Sequence, residues 1–267
     1  MPEGPEVKVV SDGIRERILN KKISDMRILS GRYTKKNPEG WESLNHFLNV
    51  KVSEVGCKGK FIYISLDNGM HIFNTLGMTG SWSAVERKHS RIQFDLDDGG
   101  EIYFNDMRNF GTLKLIDKKD SLAAKLKTLG PDMLAEDVSD AVFIRSIKKK
   151  NRTLAEVLMD QSVISGVGNY LKSECLYFSR LSPHRETNTL SEDELKTLNS
   201  VIKNVIRKSY ETGGATIYTF SGFDGQKGDY SRRFAVYNQP KDPEGREVKR
   251  ETTKDGRTTF WIPEIQK

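Results

Sequence analysis

Apolar positions along this chain change period twice, and the changes divide it. Over residues 5–19, Val7, Val10, Ile14 and Ile18 recur at helical spacing behind Pro5, which predicts an amphipathic helix. From there to about residue 116 the period is two. Residues 50–55 and 61–66 read as strands, and Asp67-Asn68-Gly69 turns into 70–74. Ile92, Phe94 and Leu96 alternate with Gln93 and Asp95 before Asp97-Asp98-Gly99-Gly100 turns into 101–105. Short strands with Gly-rich turns predict an antiparallel sandwich within residues 1–117. Residues 118–137, charged and carrying Gly130-Pro131, read as a linker. Helical spacing returns over 141–147, 154–159, 170–178 and 192–210, broken by Ser165-Gly166-Val167-Gly168. Thr212-Gly213-Gly214 opens a polar, Gly-rich loop that runs to about Tyr230. Over 231–267 alternation resumes and predicts a terminal two-stranded hairpin. The fold class is α+β: an antiparallel β-sandwich with a flanking helix, a linker, a helical domain over 138–230, and the hairpin.

The chain has 267 residues, room for one large domain or two ordinary ones. Lysine and arginine number 43 against 37 acidic residues, a net charge of +6. That excess permits a nucleic-acid partner without requiring one. Cys57 and Cys175 are the only cysteines, too few for a four-ligand zinc site or a disulfide framework. They fit a reducing compartment. His46, His71, His89 and His184 show no metal-ligand spacing, and no metal or cofactor is expected. No apolar run of ~18 residues occurs, and the start lacks a signal-peptide core. A soluble, intracellular protein without a membrane partner is expected.

The opening Met1-Pro2-Glu3-Gly4-Pro5-Glu6 carries the most chemistry. Proline in second position is small enough that removal of Met1 is expected, leaving a secondary amine. An α-amine titrates near ~7.7–8.0, so far more of it is unprotonated at neutral pH than of a lysine near ~10.4. An unprotonated amine attacks an aldehyde carbon to form a Schiff base. Glu3 ties a carboxylate to that amine. The same residues also read as a helix start, with Pro2 and Pro5 at its beginning and Glu3 and Glu6 favourable at the positive end of the dipole. Gly166-Val167-Gly168-Asn169 can bring backbone N–H groups and an amide to a phosphate, or serve as a plain connection with a capping Asn. The stretch 145–152 has five basic residues and no acid, a solvated face or a nucleic-acid contact. Lys60, after Gly59, is a surface lysine or one that reaches a phosphate. Met78 and Phe110 are core candidates, or with Arg108 the plug a protein inserts when a base leaves a duplex.

Taken together, the residues resemble one family from end to end. The matching landmarks are Pro2-Glu3-Gly4-Pro5-Glu6-Val7, Gly59-Lys60-Phe61, Leu76-Gly77-Met78-Thr79-Gly80 and Asp106-Met107-Arg108-Asn109-Phe110-Gly111. Then come Leu129-Gly130-Pro131-Asp132, Asp160-Gln161-Ser162 with Gly166-Val167-Gly168-Asn169, Thr212-Gly213-Gly214, and the tail from Gly256-Arg257 to Lys267. In that order they resemble the formamidopyrimidine-DNA glycosylase/endonuclease VIII (Fpg/Nei) family of base-excision repair enzymes. Two departures stand out. The bacterial family's four-cysteine zinc finger is absent; Ile262 and Ile265 occupy its last cysteine positions, so packing of Phe260, Trp261, Ile262 and Ile265 must hold the hairpin. This looks like the zincless finger of the Nei-like 1 subgroup of animals, plants and large DNA viruses. The family's usual His before Leu-Gly-Met is Thr75.

The resemblance implies a helix–two-turn–helix within 138–230, a lesion-capping loop at 213–230 and a zincless finger at 231–267. It also implies roles. Pro2 would attack C1′ of the damaged nucleoside, Glu3 would be the general acid/base, and Lys60 would serve near the reacting phosphate. Asn169 and Arg257, with Gly166 and Gly168, would hold the DNA backbone. Met78, Arg108 and Phe110 would fill the void, and Glu6, Gly213, Gly214 and Tyr230 would line the lesion pocket. The implied activity is removal of oxidised pyrimidines, formamidopyrimidines and hydantoins, followed by β,δ-elimination. The implied partner is double-stranded DNA with oxidised bases or abasic sites. A monomer is expected, nuclear or at viral DNA in a eukaryotic or viral setting and cytoplasmic otherwise. A non-catalytic damage-binding module is the alternative, and the joint presence of Pro2, Glu3 and Lys60 argues against it.

Overall fold

α1 (Gly4–Ile18) forms over the predicted stretch and buries the stripe Val7, Val10, Ile14 and Ile18. Pro5 stands in its first turn and Arg15 and Arg17 in its last, each at the end that favours it. The computed structural model describes residues 2–149, 151–216 and 222–267. Two compact units divide the chain: Met1–Lys127 with Thr212–Asp229, and Thr128–Glu211 with Tyr230–Lys267.

In the first unit α1 is followed by β1 (Ile23–Ile28), β2 (Val52–Lys58), β3 (Phe61–Leu66), β4 (His71–Thr75), β5 (Gly80–Ser83), β6 (Ser90–Leu96), β7 (Glu101–Asp106), β8 (Thr112–Ile116) and the short helix α2 (Ser121–Lys127). The strands form two four-stranded sheets, β1-β6-β7-β5 and β2-β3-β4-β8. All pairings are antiparallel; Tyr63 faces Phe73 and Ile64 faces Ile72 across β3 and β4. One core cluster draws Ile62, Ile64, Ile72 and Leu113 from one sheet, Trp82, Phe94 and Phe104 from the other, and the α1 stripe. The sheets therefore pack face to face as the predicted sandwich, each buried side chain of this size contributing about 1.5–3 kcal/mol. β1 lacked a clean alternation because a bulge between Ile23 and Asp25 shifts its register, so Ile23 and Met26 face inward three apart.

The expected linker 118–137 is not a free connection. Its first half holds α2 and belongs to the first unit; its second half belongs to the other. There Gly130 lies so close to the Val163 backbone that a Cβ would fall 2.5 Å from its carbonyl. The loop expected at 213–230 also divides differently: residues up to Asp229 group with the sandwich, and Tyr230 with the second unit.

The second unit contains α3 (Asp140–Lys148), α4 (Leu154–Met159), α5 (Asn169–Phe178), α6 (Glu192–Glu211), β9 (Lys249–Thr252) and β10 (Thr258–Trp261). Ser139 caps α3, and a Thr153–Glu156 capping box opens α4. β9 and β10 pair antiparallel as the predicted hairpin. The hairpin is not separate from the helices: Phe260 and Ile262 share a core with Tyr177 of α5, Ala235 and Val236, against which Ile265 packs. Trp261 is buried too. Phe234 and Val236, read as alternating, lie outside any strand; instead Glu174 on α5 accepts the N–H groups of Ala235, Val236 and Tyr237 at 2.8, 2.9 and 2.8 Å. Among the described residues no helix is long and apolar enough to cross a membrane.

Glu251 ties the two strands of the hairpin to the unit. Its carboxylate accepts from Trp261 Nε1 at 2.7 Å, meets His184 Nε2 at 2.7 Å and pairs with Lys249 at 2.9 Å. Burial pushes its carboxyl up, but the bonds from His184, Lys249 and Trp261 outweigh this and hold it at about 2. A folded value below the ordinary one means stability that is complete above the unfolded value and lost as pH falls through the folded one. Between about pH 5 and about pH 2 the wild type should therefore lose more stability than Glu251→Gln, read as the shift in denaturant midpoint.

Candidate functional site

The expected catalytic residues Pro2, Glu3 and Lys60 all fall in the first unit. Glu3 is the N-cap of α1, in extended conformation, and forms a capping box with Glu6. Glu3 N–H donates to Glu6 Oε2 at 2.7 Å. Glu3 and Glu6 are only 3% and 1% exposed, and Pro2 is buried. The helix-start reading of these residues thus holds, and the same cap fixes the position of Pro2 and Glu3 at the positive end of α1. Lys60 stands in the turn from β2 to β3 after Gly59, whose φ of 57° is left-handed. α1 packs on both of those strands.

Of the expected lesion pocket, Glu6, Gly213 and Gly214 come together. Glu6 Oε1 accepts from Ala215 N–H at 2.6 Å. Gly214, at φ +84°, approaches so closely that a Cβ would lie 2.8 Å from Glu6 Oε1. Both Glu6 oxygens therefore hold backbone. Tyr230 belongs to the second unit, where its ring lies among Tyr170 and Phe234 and burial raises its phenol well above the usual value. Met1 and residues 217–221 of the loop lie outside the described residues.

Met78 is 39% and Phe110 55% exposed, and Arg108 is exposed with its guanidinium 4.8 Å from the Phe110 ring. They are not core residues; they project from two loops of one unit. What holds those loops is Asp106, a residue that sequence reading passed over. Its side chain is buried and accepts from Thr79 Oγ1 at 2.5 Å, Arg108 N–H at 3.2 Å and Gly111 N–H at 2.7 Å. Arg32 braces the far side, donating to the carbonyls of Asn109 at 3.1 Å and Gly111 at 2.5 Å. The available signal was an acid followed by five residues ending in Gly, a stretch too short for a helix and rich in turn formers.

The expected phosphate-binding residues Gly166, Gly168, Asn169 and Arg257 fall in the second unit. Gly166 has φ +94°, and Gln161 pins the turn by accepting Gly166 N–H at 3.0 Å and donating to Val167 O at 2.9 Å. Gly168 is the N-cap of α5 and Asn169 its first residue. Asn169 Nδ2 donates to Thr258 O at 2.8 Å, while its Oδ1 is buried without a partner. Arg257 is exposed in the hairpin turn, beside Asp255, which makes a buried ion pair with Lys172 of α5 at 2.6 Å. Of the basic run, Arg145, Lys148 and Lys149 are exposed, Arg152 pairs with Asp160 at 2.5 Å, and Lys150 lies outside the described residues. Among the described residues no three His, Cys, Asp or Glu side chains gather as a metal site.

Three family descriptions match along the chain: the Formamidopyrimidine-DNA glycosylase N-terminal domain over residues 1–113, its H2TH domain over 129–221 and its C-terminal domain over 226–267. A formamidopyrimidine-DNA glycosylase of Afipia carboxidovorans is 30% identical over 298 residues, covering 100% of both chains. The crystal structure of the MutM (Fpg) protein from Thermus thermophilus is similar at a TM-score of 0.85 and 30% identity, covering 99% of this chain and 98% of that one. A Lactococcus lactis Fpg mutant, in complex with a Fapy-dG containing DNA, shares the fold at a TM-score of 0.87 and 24% identity over 100% of both chains.

Asp106→Ala strands the Arg108 and Gly111 N–H groups of one loop and the Thr79 hydroxyl of the other. It should cost about 3 kcal/mol of stability, and Asp106→Asn, which keeps an acceptor, about 1 kcal/mol, both read from urea unfolding.

Proposed function

The chain belongs to the formamidopyrimidine-DNA glycosylase family of base-excision DNA glycosylases, and from that premise we propose that it is a bifunctional enzyme, a glycosylase for oxidised bases that also cuts the strand. The observation that carries the reading is the α1 cap, which buries Glu3 and fixes it beside Pro2. Once Met1 is removed, the Pro2 amine attacks C1′, the N-glycosidic bond breaks, and the base leaves with that electron pair and a proton. Glu3 serves as the acid that opens the sugar ring at its oxygen. The resulting iminium at C1′ acidifies the 2′ proton; its removal expels the 3′-phosphate, and a second elimination expels the 5′-phosphate. Lys60 acts at the reacting phosphate.

Recognition rests on two further sets. Met78, Arg108 and Phe110, held by Asp106, occupy the space the flipped nucleotide leaves, with Arg108 toward the orphaned base. Asn169 and Arg257, with the N-terminus of α5, bind phosphates. Asn169 Nδ2, oriented by the Thr258 carbonyl, has a second N–H to give to a phosphate oxygen, which supports this. A hairpin whose sequence holds no cysteine favours the zincless subgroup, and with it oxidised pyrimidines, formamidopyrimidines and hydantoins as substrates.

Mixing the protein with duplex DNA carrying one thymine glycol or abasic site and adding borohydride should trap a covalent complex that mass spectrometry maps to Pro2. Pro2→Gly should lose the trap and slow strand cleavage severely while duplex binding stays nearly intact; unchanged cleavage would remove Pro2 from the mechanism.

Arg257→Ala should weaken binding and make the salt dependence shallower by about 1 in log–log slope, as one phosphate contact is lost. An unaltered slope would show that Arg257 does not touch the backbone.

A further inference from the structure

α1 has a glycine in its interior, Gly13, where helix propensity is poor. The space a side chain would need is filled. A Cβ on Gly13 would fall 2.3 Å from Phe223 Cβ and 2.7 Å from its Cγ. Phe223 belongs to the loop 212–229, yet it is 7% exposed and part of the sandwich core cluster. Its neighbours fix it further. Asp224, at left-handed φ 57°, accepts Ala84 N–H at 2.6 Å and meets Arg17 at 3.4 Å. The Arg17 guanidinium lies 5.9 Å from the Phe223 ring.

The anchored arm leads back to the catalytic segment through backbone that the structure describes. Asp229 N–H donates to Thr212 O at 2.9 Å, and Ala215 and Asp229 form an antiparallel bridge. Gly228 lies against Gly213 and Gly214 with no room for a Cβ. Ala215 N–H then reaches Glu6 Oε1, and Glu6 Oε2 holds Glu3 N–H. The path from Phe223 to Glu3 is one of short contacts throughout.

We propose that the Gly13–Phe223 socket is a positioning device for base recognition: it docks the loop arm 222–229 on α1 and so sets how well the enzyme acts on an oxidised base relative to an abasic site. The proposal rests on the reading of this loop as the segment that meets the extruded base. An abasic site presents no base to the loop, so its cleavage needs the nucleophile and the acid but not the docked loop. Gly13 and Phe223 touch neither the reacting atoms nor DNA in this scheme; they act through the loop.

Gly13→Ala makes the test sharp, because alanine strengthens the helix while its Cβ expels Phe223. Single-turnover base excision from a thymine glycol duplex and strand cleavage at an abasic site in the same duplex are measured for wild type, Gly13→Ala, Phe223→Gly and the double variant. Gly13→Ala should lower the melting temperature, because releasing a core phenylalanine outweighs the gain in helix propensity, lose about tenfold in base excision and stay within about twofold on the abasic site. The double variant should match Phe223→Gly, since glycine at 223 removes both the Cβ and the ring that the new methyl meets. An unchanged ratio of the two activities in Gly13→Ala overturns the proposal, and so does an equal loss of both. Wild-type protein inactive on both substrates fails the functional reading itself and carries this proposal down with it, an outcome distinct from normal wild-type activity that Gly13→Ala leaves unaltered.

Discussion

The Glu6 carboxylate joins two segments that are far apart in sequence, and much of the first unit is arranged around it. A helix leaves its first N–H groups without partners. Glu6 takes Glu3 N–H with one oxygen and Ala215 N–H with the other. Burying a carboxylate is costly unless it is hydrogen-bonded, and here the positive end of α1 adds to two N–H donors. The consequence spreads in both directions along the chain. Toward residue 2, the first residues are tied to the core instead of fraying, as chain starts usually do. Toward residue 214, the loop must come close enough that only glycine fits, with left-handed φ. A substrate pocket built here inherits a rigid floor.

The same device recurs wherever the chain holds an irregular segment in place. Asp106 collects the N–H groups of Arg108 and Gly111, and Asp132 those of Leu134 and Ala135 at 2.9 and 3.1 Å. Glu174 collects three more at the base of the hairpin. Burial pushes the Glu174 carboxyl above its usual range, with the three N–H bonds pulling the other way. Each carboxylate gives a turn the fixed geometry that a strand or helix would obtain from its own ladder. Loops that carry chemistry need such support, because binding residues held loosely lose orientation.

The regular elements were legible in the sequence because period reports burial. The α1 stripe, the turn at Asp67-Asn68-Gly69 and the four helices of the second unit all stand near their expected places. What periodicity could not show was tertiary economy of small residues and acids. Gly130 looked like linker punctuation, yet it permits a close approach to Val163. Phe223, inside the stretch read as a polar loop, proved to be core. Pro2 and Glu3 stood out by the chemistry of an α-amine beside a carboxylate, Lys60 by motif resemblance, and nothing in spacing alone separates Glu3 the helix cap from Glu3 the proposed acid. Asp106 was missed because its role exists only when two loops, one around Thr79 and one around Arg108, meet.

The hairpin is held at several points of one helix. A zinc ion would hold such an element at one point, and its binding would be a large part of the folding free energy. Here the hold is spread along α5. Asn169, its first residue, bonds the Thr258 carbonyl; Lys172, one turn on, pairs with Asp255 in the hairpin turn; Ser173 accepts Phe260 N–H at 3.4 Å; and Glu174 fixes the segment leading in. A buried ion pair alone is weak evidence of stability, because desolvation offsets much of the attraction. Its directional value is greater: with both partners buried, the hairpin turn has one register against α5. Arg257 lies two residues beyond Asp255, so the helix that presents Asn169 also sets where Arg257 stands. Two proposed phosphate contacts, distant in sequence, are thereby carried by one rigid element.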